Sequence, residues 1–447
     1  MRKDSIIQKI YIWRNTNFKS YFDFELKWIN LLLTLSLFCY FLVTKKLPVL
    51  FLISLMVFIN VWLFGWKVLY VLLITTLIII TFFFVRKIIA EKILSSQNVI
   101  KKLKVIDITS NKVIASDLFF NQFEFKKPSN IQLDLYENIQ IRAKIIKNFK
   151  PFNNLIKISL EQIEKIGTWD IRYYFFKYFN NLDPDYKEFT ITLLFGFNFN
   201  LENPMILKIK ELGVLHLIVV SGLHYLILFK TLKLLTNKFD KKGILIFVFL
   251  IIYFWFGKKQ VSACRAISFI LIWNYFPKKI FKKNFLFSKY KLLALIGIIN
   301  LVWNPFLALK TGFWITYFLA FYWNSQNLKS KKWKIYLETT LISLFINLIF
   351  NNEISWSTFL FAPFLTALFE CILILSLVLF WAVPIIILLN RIVFQIINIL
   401  HFMNLSLLVE LNSFFYHFIY LSLYSLLTKN FWNSKDLSRK KWWIKYN

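Results

Sequence analysis

Long apolar runs recur along most of this chain, and they restrict what it can fold into. The runs hold 15 to 25 predominantly apolar residues, close to the ~20 that one α-helix needs to cross a ~30 Å hydrocarbon core. With 58% hydrophobic residues and a mean hydropathy of +0.57, the 447-residue chain is too apolar for a water-soluble protein of this size. The sequence therefore predicts a polytopic α-helical membrane protein.

The apolar runs predict about twelve transmembrane helices. The weakest of them is 382–400, because two asparagines, an arginine and a glutamine give it the character of an interfacial helix. The runs lie at 29–44, 47–65, 68–85, 213–235, 243–257, 261–276, 291–306, 307–323, 335–351, 356–380, 382–400 and 413–428.

Lysine and arginine outnumber aspartate and glutamate by 55 to 23, which gives a net charge of +32. By the positive-inside rule, the most basic tails and loops remain in the cytoplasm, which places residues 95–165 outside. We therefore expect a multi-pass protein of the cell membrane with both termini cytoplasmic. The basic excess also fits contact with anionic lipid or with nucleic acid. The basic segments are 1–27, 236–242, 277–290, 324–334 and 429–447.

Residues 95–165 differ from the rest of the chain, because apolar and polar residues alternate there in several short stretches such as Ile139–Ile145 and Ile156–Leu160. Alternation with a period of two predicts antiparallel strands with one wet face. Five or six such strands suit a small all-β, OB-like domain, a fold that often holds single-stranded nucleic acid. A domain of this kind can also serve only as a scaffold for the membrane part.

These patterns divide the chain into five segments. Residues 1–94 are a basic cytoplasmic tail with three transmembrane helices, and 95–165 are the β domain. Residues 166–200 form an aromatic, amphipathic bridge whose rings and cations are typical of a helix at the membrane interface. Residues 201–428 are the main transmembrane domain, and 429–447 are a second basic cytoplasmic tail.

A polar stripe interrupts the apolar run that follows Gly213. It consists of His216, the Ser221–Gly222 pair and His224. Because polar groups in hydrocarbon are costly, such residues usually face a protein interior or a water-filled path. Two other interpretations stay open: a buried helix whose histidines bond neighbouring carbonyls, and an intramembrane enzyme with Ser221 as nucleophile and a histidine as base.

Further polar or helix-breaking residues lie in the later apolar runs. Arg265 sits near the outer end of its helix, where it either snorkels to the interface or meets a phosphate. Glu370 lies inside an apolar run, where a carboxylate is either paired or protonated. Turns or helix breaks are expected at Gly213, Pro305, Gly312 and Pro363.

The stretch HLIVVSGLH, from His216 to His224, resembles the His-Leu-x-x-x-Ser-Gly-Leu-His signature of the competence domain of ComEC-type DNA internalisation channels. The chain departs from the family pattern at Phe197–Asn198, where an acidic residue is usual, and at Thr358, where an asparagine is usual. Further resemblance is carried by Leu193–Gly196, Gln260–Ala266, Trp303–Phe306, Gly312–Ala320 and Ile354–Phe364.

The resemblance implies a channel for uptake of single-stranded DNA across the cytoplasmic membrane during natural transformation, with an OB-like domain at the place noted above. It also implies a separate DNA receptor, a cytoplasmic translocation ATPase and a separate nuclease as partners, beside membrane lipid. Many such proteins continue into a metallo-β-lactamase-like domain, and we expect a form without it. The translocation path would be lined by His216, Ser221, Gly222, His224, Arg265 and Glu370.

Other functions remain open, namely the intramembrane enzyme, a transporter for small solutes or lipid-linked molecules, and a relative that no longer transports DNA. The four histidines, His216, His224, His401 and His417, form no His-x-His-x-Asp-His run. No Gly-rich phosphate loop with Lys-Ser or Lys-Thr is present either. The sequence therefore predicts no metal, no cofactor and no hydrolytic activity, and it leaves the oligomeric state open.

Overall fold

The chain folds into two compact units of helices, and a small β-barrel belongs to the second. The first unit comprises 1–83, 268–352 and 409–447, and the second 84–267 and 353–408. The structure, a computed structural model, describes residues 27–45, 47–64, 66–95, 98–109, 111–117, 122–128, 131–146, 155–179, 182, 184–197, 203–212, 214, 222–236, 240, 243–275, 289–325, 332–351, 353–379, 381–402, 406–408 and 419–425.

Helices account for most of the described residues. They are α1 (Lys27–Thr44), α2 (Leu47–Phe64), α3 (Lys67–Ser95), α4 (Ile171–Tyr178), α5 (Pro184–Phe195), α6 (Pro204–Glu211), α7 (Gly222–Thr236), α8 (Ile244–Phe256), α9 (Val261–Tyr275), α10 (Lys289–Trp303), α11 (Thr311–Ser325), α12 (Lys332–Asn351), α13 (Trp356–Val378) and α14 (Val383–Phe402). A 3₁₀ helix, Pro305–Leu309, follows α10.

Three described stretches are long and apolar enough to cross a membrane: α1, the Val68–Val85 part of α3, and α14. Four shorter apolar helices accompany them: Val49–Trp62, Ile244–Phe256, Val261–Tyr275 and Pro363–Val378. Large apolar side chains on α2 and α3, among them Trp62, Tyr70 and Leu77, are more than 60% exposed, as expected of a surface in contact with lipid. The apolar helical character is confirmed, whereas the number of about twelve crossings stays a prediction.

The first unit is held together by a small residue and by polar contacts between its helices. Gly297 on α10 packs so closely that a Cβ there would lie 2.7 Å from the Leu32 side chain of α1. The buried Asn60 amide donates to the Thr34 hydroxyl at 3.0 Å. Small residues and interhelical hydrogen bonds are the usual means by which membrane helices associate, because hydrocarbon supplies little hydrophobic drive.

The second unit contains a closed barrel of five strands: β1 (Asn98–Ile108), β2 (Lys112–Ser116), β3 (Gln122–Lys126), β4 (Asn138–Ile145) and β5 (Leu155–Ile166). The strand order is β1-β2-β3-β5-β4. Only the β3–β5 pair is parallel among these described strands. Alternate residues such as Val113, Phe123 and Ile141 point into a buried interior. The predicted small β domain is thereby confirmed, with one parallel pair in place of a purely antiparallel sheet.

The remaining helices of this unit share one apolar core. Residues of α5, α6, α13 and α14 meet there, including Phe189, Met205, Phe369 and Val393. A short pair of strands, β6 (Glu353–Ser355) and β7 (Ser406–Leu408), precedes α13 and follows α14. Pro363 lies inside α13, which runs on as one helix from Trp356 to Val378, so the expected break there is at most local.

Two asparagines of α14 form an inward polar stripe. The buried Asn390 amide donates to the Thr190 hydroxyl of α5 at 2.8 Å, and Asn398 accepts from Lys208 of α6 at 2.7 Å. The outward residues of α14 include Leu388 and Ile399, both exposed, as suits a helix that borders lipid. Arg391 and Gln395 are exposed as well, so the inward stripe accounts for the two asparagines of 382–400 and not for its arginine and glutamine.

Candidate functional site

The structure describes only part of the predicted polar stripe. Gly213, His216 and Ser221 lie outside the described residues, whereas Gly222 begins α7 and His224 follows in its first turn. His224 is buried, with 5% of its surface exposed. The described part of the stripe therefore lies at the N-terminal end of α7.

Gly222 and Arg265, which the sequence separates widely, are in direct contact. An ideal Cβ placed on Gly222 would lie 2.3 Å from Nη2 of Arg265 and 3.2 Å from Cβ of Ala266. The first turn of α7 thus touches α9 at this point, with the guanidinium over the glycine. The structure therefore brings two of the path residues predicted from sequence into contact.

The electrostatics of this contact favour an anion. The N-terminus of an α-helix carries roughly half a positive charge, because its first N–H groups have no partner within the helix. The guanidinium of Arg265 adds a full positive charge at the same end of α7. A phosphate can bind to a guanidinium and to helix N–H groups together.

The first turn of α7 is held by two tyrosines that sequence reasoning missed. Tyr225 is fully buried, and its ring lies 5.4 Å from that of Tyr253 on α8. The Tyr253 hydroxyl donates to the Leu194 carbonyl at the end of α5. Tyr225 follows His224 directly and was within reach of motif analysis, but nothing in the sequence pattern singles out Tyr253 from the many other aromatic residues.

The other predicted residues lie on separate elements. Glu370, in the middle of α13, has Lys230 of α7 as its electrostatic neighbour rather than a histidine or arginine. Pro305 begins the 3₁₀ helix that Asn304 caps by accepting from the Phe306 N–H at 3.1 Å, and Gly312 lies in the first turn of α11. The expected turn between the runs 291–306 and 307–323 is therefore present.

The loop between α8 and α9 joins the helices to the barrel. Lys258 pairs with Asp107 of β1, and its backbone N–H donates to the Phe195 carbonyl at 2.7 Å. The Gln260 amide donates to the carbonyl of Gly196 at 3.0 Å, where the chain turns with a φ of 76°. Burial raises the pKa of Asp107 above its ordinary value, although Lys258 opposes that shift. Lys258 and Gln260 thus precede Arg265 on a segment docked against the barrel.

Arg172, one residue into α4, fastens the barrel to the same place. Its guanidinium lies 4.0 Å from the centre of the Tyr136 ring and 4.7 Å from that of Trp255, between barrel and α8. It also donates to both carboxylate oxygens of Asp170, at 3.0 and 2.7 Å, and Lys104 of β1 donates to Asp170 at 2.9 Å. We refer to Arg172, Asp170, Lys104, Tyr136 and Trp255 as the barrel clamp.

Burial and pairing shift the pKa values of two groups in the barrel clamp. Burial alone would raise the pKa of Asp170, but the hydrogen bonds from Arg172 and Lys104 outweigh it and hold that pKa well below its ordinary value. Burial also raises the pKa of Tyr136 to about 12. Asp170 is therefore ionised and Tyr136 protonated at neutral pH, so the clamp keeps its charges there.

The described surface of the barrel differs from a simple nucleic-acid groove. Within residues 98–109, 111–117, 122–128, 131–146 and 155–166, the aromatic side chains Phe123, Phe125 and Tyr136 are all buried. Several of its lysines are paired across strands, as in Lys101–Asp117, Lys112–Glu124, Lys144–Glu161 and Lys165–Glu137. The binding of single-stranded DNA by this domain stays a prediction.

No group of three or more His, Cys, Asp or Glu side chains is placed to hold a metal ion in the part of the chain that the structure describes. His401 instead pairs with Glu211 at the ends of α14 and α6, and His417 lies outside the described residues. The predicted lack of metal and of enzymatic activity stays a prediction.

A family model described as "Competence protein" matches residues 193–432, more than half of the chain. The match begins at the end of α5, includes Gly222 and Arg265, and leaves out the barrel. No curated protein and no solved structure matches the chain.

Proposed function

Because this chain belongs to the competence protein family, we propose that it is a ComEC-type channel that passes single-stranded DNA across the cytoplasmic membrane during natural transformation. The observation that carries the proposal is the contact between Arg265 and the glycine at the N-terminus of α7. It lies inside the region that matches the family and concentrates positive charge within an apolar helical unit.

A polyanion needs fixed positive groups along its path, because each phosphate loses its counterions and water as it enters. Arg265 and the N-terminal turn of α7 supply such groups, and His224 in the same turn adds a polar ring. Glu370 and Lys230 belong to the same unit and are candidates for a second polar stretch of the path. The arrangement suits a transient contact with phosphate better than a closed binding pocket.

The proposed location is the cell membrane, with several crossings, both termini in the cytoplasm and the barrel outside. The inward polar stripe of α14 and the exposed apolar side chains of α2 and α3 support the location in lipid. The strand order β1-β2-β3-β5-β4 supports an OB-like barrel. The arrangement of charged loops supports the orientation.

The proposed partners follow from what transport requires. Duplex DNA has to be captured, one strand has to be removed, and the other has to be driven inward, and we assign these steps to a receptor, a nuclease and a cytoplasmic ATPase that are separate proteins. The channel itself is proposed to need no cofactor and to catalyse no reaction. An intramembrane enzyme with Ser221 and His224, or a transporter of small or lipid-linked solutes, remains the alternative.

Uptake of labelled DNA tests the function directly. Cells lacking the gene are expected to bind duplex DNA at their surface but to accumulate no nuclease-protected label, and the wild-type gene is expected to restore accumulation. Cells with Arg265→Gln, which keeps a polar side chain and removes its charge, are expected to accumulate at least tenfold less, since one charged hydrogen bond contributes about 1.5–3 kcal/mol. Unchanged accumulation without the gene would refute the DNA channel and favour the alternatives.

The orientation can be tested with single cysteines in a variant without Cys39, Cys264 and Cys371. Lys126→Cys on the barrel is expected to react with a membrane-impermeant maleimide in intact cells, because both its exposure and the charge pattern place it outside. Lys334→Cys, also an exposed position, is expected to react only after the cells are opened. Labelling of Lys334→Cys alone in intact cells would show that the orientation is the opposite of the one proposed.

A further inference from the structure

We propose that Gly222 is a positioning residue for Arg265: its bare α-carbon provides the seat in which the guanidinium is held at the N-terminus of α7. The inference rests on the proposed function, in which Arg265 meets phosphate. It assigns to the glycine a role different from lining the translocation path, which the resemblance implies.

Space, and not backbone conformation, accounts for glycine at this position. Gly222 has no positive φ, unlike Gly196 and Gly243, so its backbone is one that any residue adopts. A methyl group there would lie 2.3 Å from Nη2 and 3.5 Å from Cζ of Arg265, and 3.2 Å from the Ala266 Cβ. Even alanine therefore requires the guanidinium to leave its place.

Other glycines with known surroundings lack this relation to a charge. A Cβ on Gly297 would meet the Leu32 side chain, and one on Gly257 would meet the Phe195 carbonyl oxygen at 3.6 Å. Gly312 has open space around it. These positions offer matched controls, since the same substitution by alanine tests tight apolar packing at Gly297 and no packing at Gly312.

Holding the guanidinium matters because an arginine side chain has many rotamers, and an unseated one spreads its charge over several positions. Seated over Gly222, it stays beside the first N–H groups of α7, where a single phosphate can contact both. The seat thus determines where along the path the phosphate is bound. Displacement by a methyl group would keep the charge in the protein and lose its alignment with the helix end.

The test measures binding of a fluorescent single-stranded oligonucleotide by the purified full-length protein over a series of salt concentrations. Loss of one phosphate contact to single-stranded DNA reduces the slope of log affinity against log salt by about 0.7. Arg265→Gln is expected to reduce the slope by about this amount, and Gly222→Ala by the same amount. The double variant is expected to show no further reduction, while Gly312→Ala and Gly297→Ala keep the wild-type slope.

A double-mutant cycle, measured by thermal unfolding without DNA, tests the contact between Gly222 and Arg265. Gly222→Ala is expected to lower the midpoint more in the wild-type background than in an Arg265→Ala background, where the guanidinium is gone and the Ala266 Cβ at 3.2 Å remains. If Gly222→Ala lowers the midpoint equally in both backgrounds, or keeps the wild-type salt slope, Gly222 does not position the Arg265 guanidinium. A wild-type protein that binds no oligonucleotide, while the cycle still shows coupling, would overturn the proposed function and with it the role of the seat in phosphate binding.

Discussion

Cells that carry Gly222→Leu are expected to lose transformation by about 5- to 100-fold, because overpacking a close contact costs about 1–3 kcal/mol and each 1.4 kcal/mol is about a factor of ten. A leucine side chain at this position has to occupy the place of the Arg265 guanidinium and press against Ala266. The displaced cation leaves the end of α7, and the added bulk enters the proposed path. The measurement is the frequency of transformants per cell with a chromosomal marker.

Gly312→Leu is the control for this experiment, since Gly312 also lies in the first turn of a helix but has open space around it. Both variants have to be compared at equal amounts of membrane-inserted protein, measured by immunoblotting of washed membranes. Wild-type transformation frequency in a well-inserted Gly222→Leu variant would contradict both the seat and the position of the path at this end of α7.

Removal of the guanidinium in Arg172→Leu is expected to lower the free energy of unfolding of the second unit by about 3 kcal/mol, the lower end of the cost of breaking a buried charge pair. Arg172 and Asp170 have side chains only 13% and 8% exposed. The change leaves Asp170 with Lys104 and with the backbone N–H at position 172. It also takes the cation from between the Tyr136 and Trp255 rings. This loss is measured by thermal unfolding in detergent, with release of the barrel by a protease as the signal.

A matched control for this variant lies on the barrel surface. Arg142 pairs with Glu161 at 3.8 Å and is 55% exposed, so Arg142→Leu is expected to cost no more than about 1 kcal/mol. Equal losses in the two variants would show that the barrel clamp contributes no more than a surface ion pair.

The dependence of stability on pH supplies a second measurement on the same variant. Pairing lowers the pKa of Asp170 below its ordinary value of 3.8, so the unfolded chain binds this proton more readily than the folded one. The stabilisation is therefore complete above the ordinary pKa and is lost as the pH falls below it. Between pH 5 and pH 3 the wild-type protein is expected to lose more stability than Arg172→Leu, and an equal loss would argue against the pairing.

Sequence patterns predicted the features that depend on neighbouring residues. Alternation between 95 and 165 located the barrel within a few residues of its strands, because side chains in a strand point to opposite faces in turn. Runs of apolar residues located the helices, because about 20 such residues in a row suit a helix that crosses hydrocarbon. A turn was expected at Pro305, and the structure places there a 3₁₀ helix that Asn304 caps.

Features that depend on distant residues were beyond such patterns. Lys258 and Asp107 are 151 residues apart, and nothing in the sequence of either segment indicates the other. Arg172 was predicted to face the headgroups, as an arginine in an amphipathic helix usually does, whereas it lies between two rings of the second unit. Gly222 was predicted to line the path, because Arg265, its neighbour in the structure, comes into contact only through folding.

The hydrogen bonds of α14 have a consequence for the timing of synthesis. Its polar partners on α5 and α6 are 190 to 200 residues earlier in the chain. At about 5–20 residues per second, roughly 10–40 s separate the emergence of Thr190 and Lys208 from that of Asn390 and Asn398. During that interval Thr190 and Lys208 are without these partners, so a chain stalled before residue 383 would lack both of the hydrogen bonds that fasten α14 to α5 and α6.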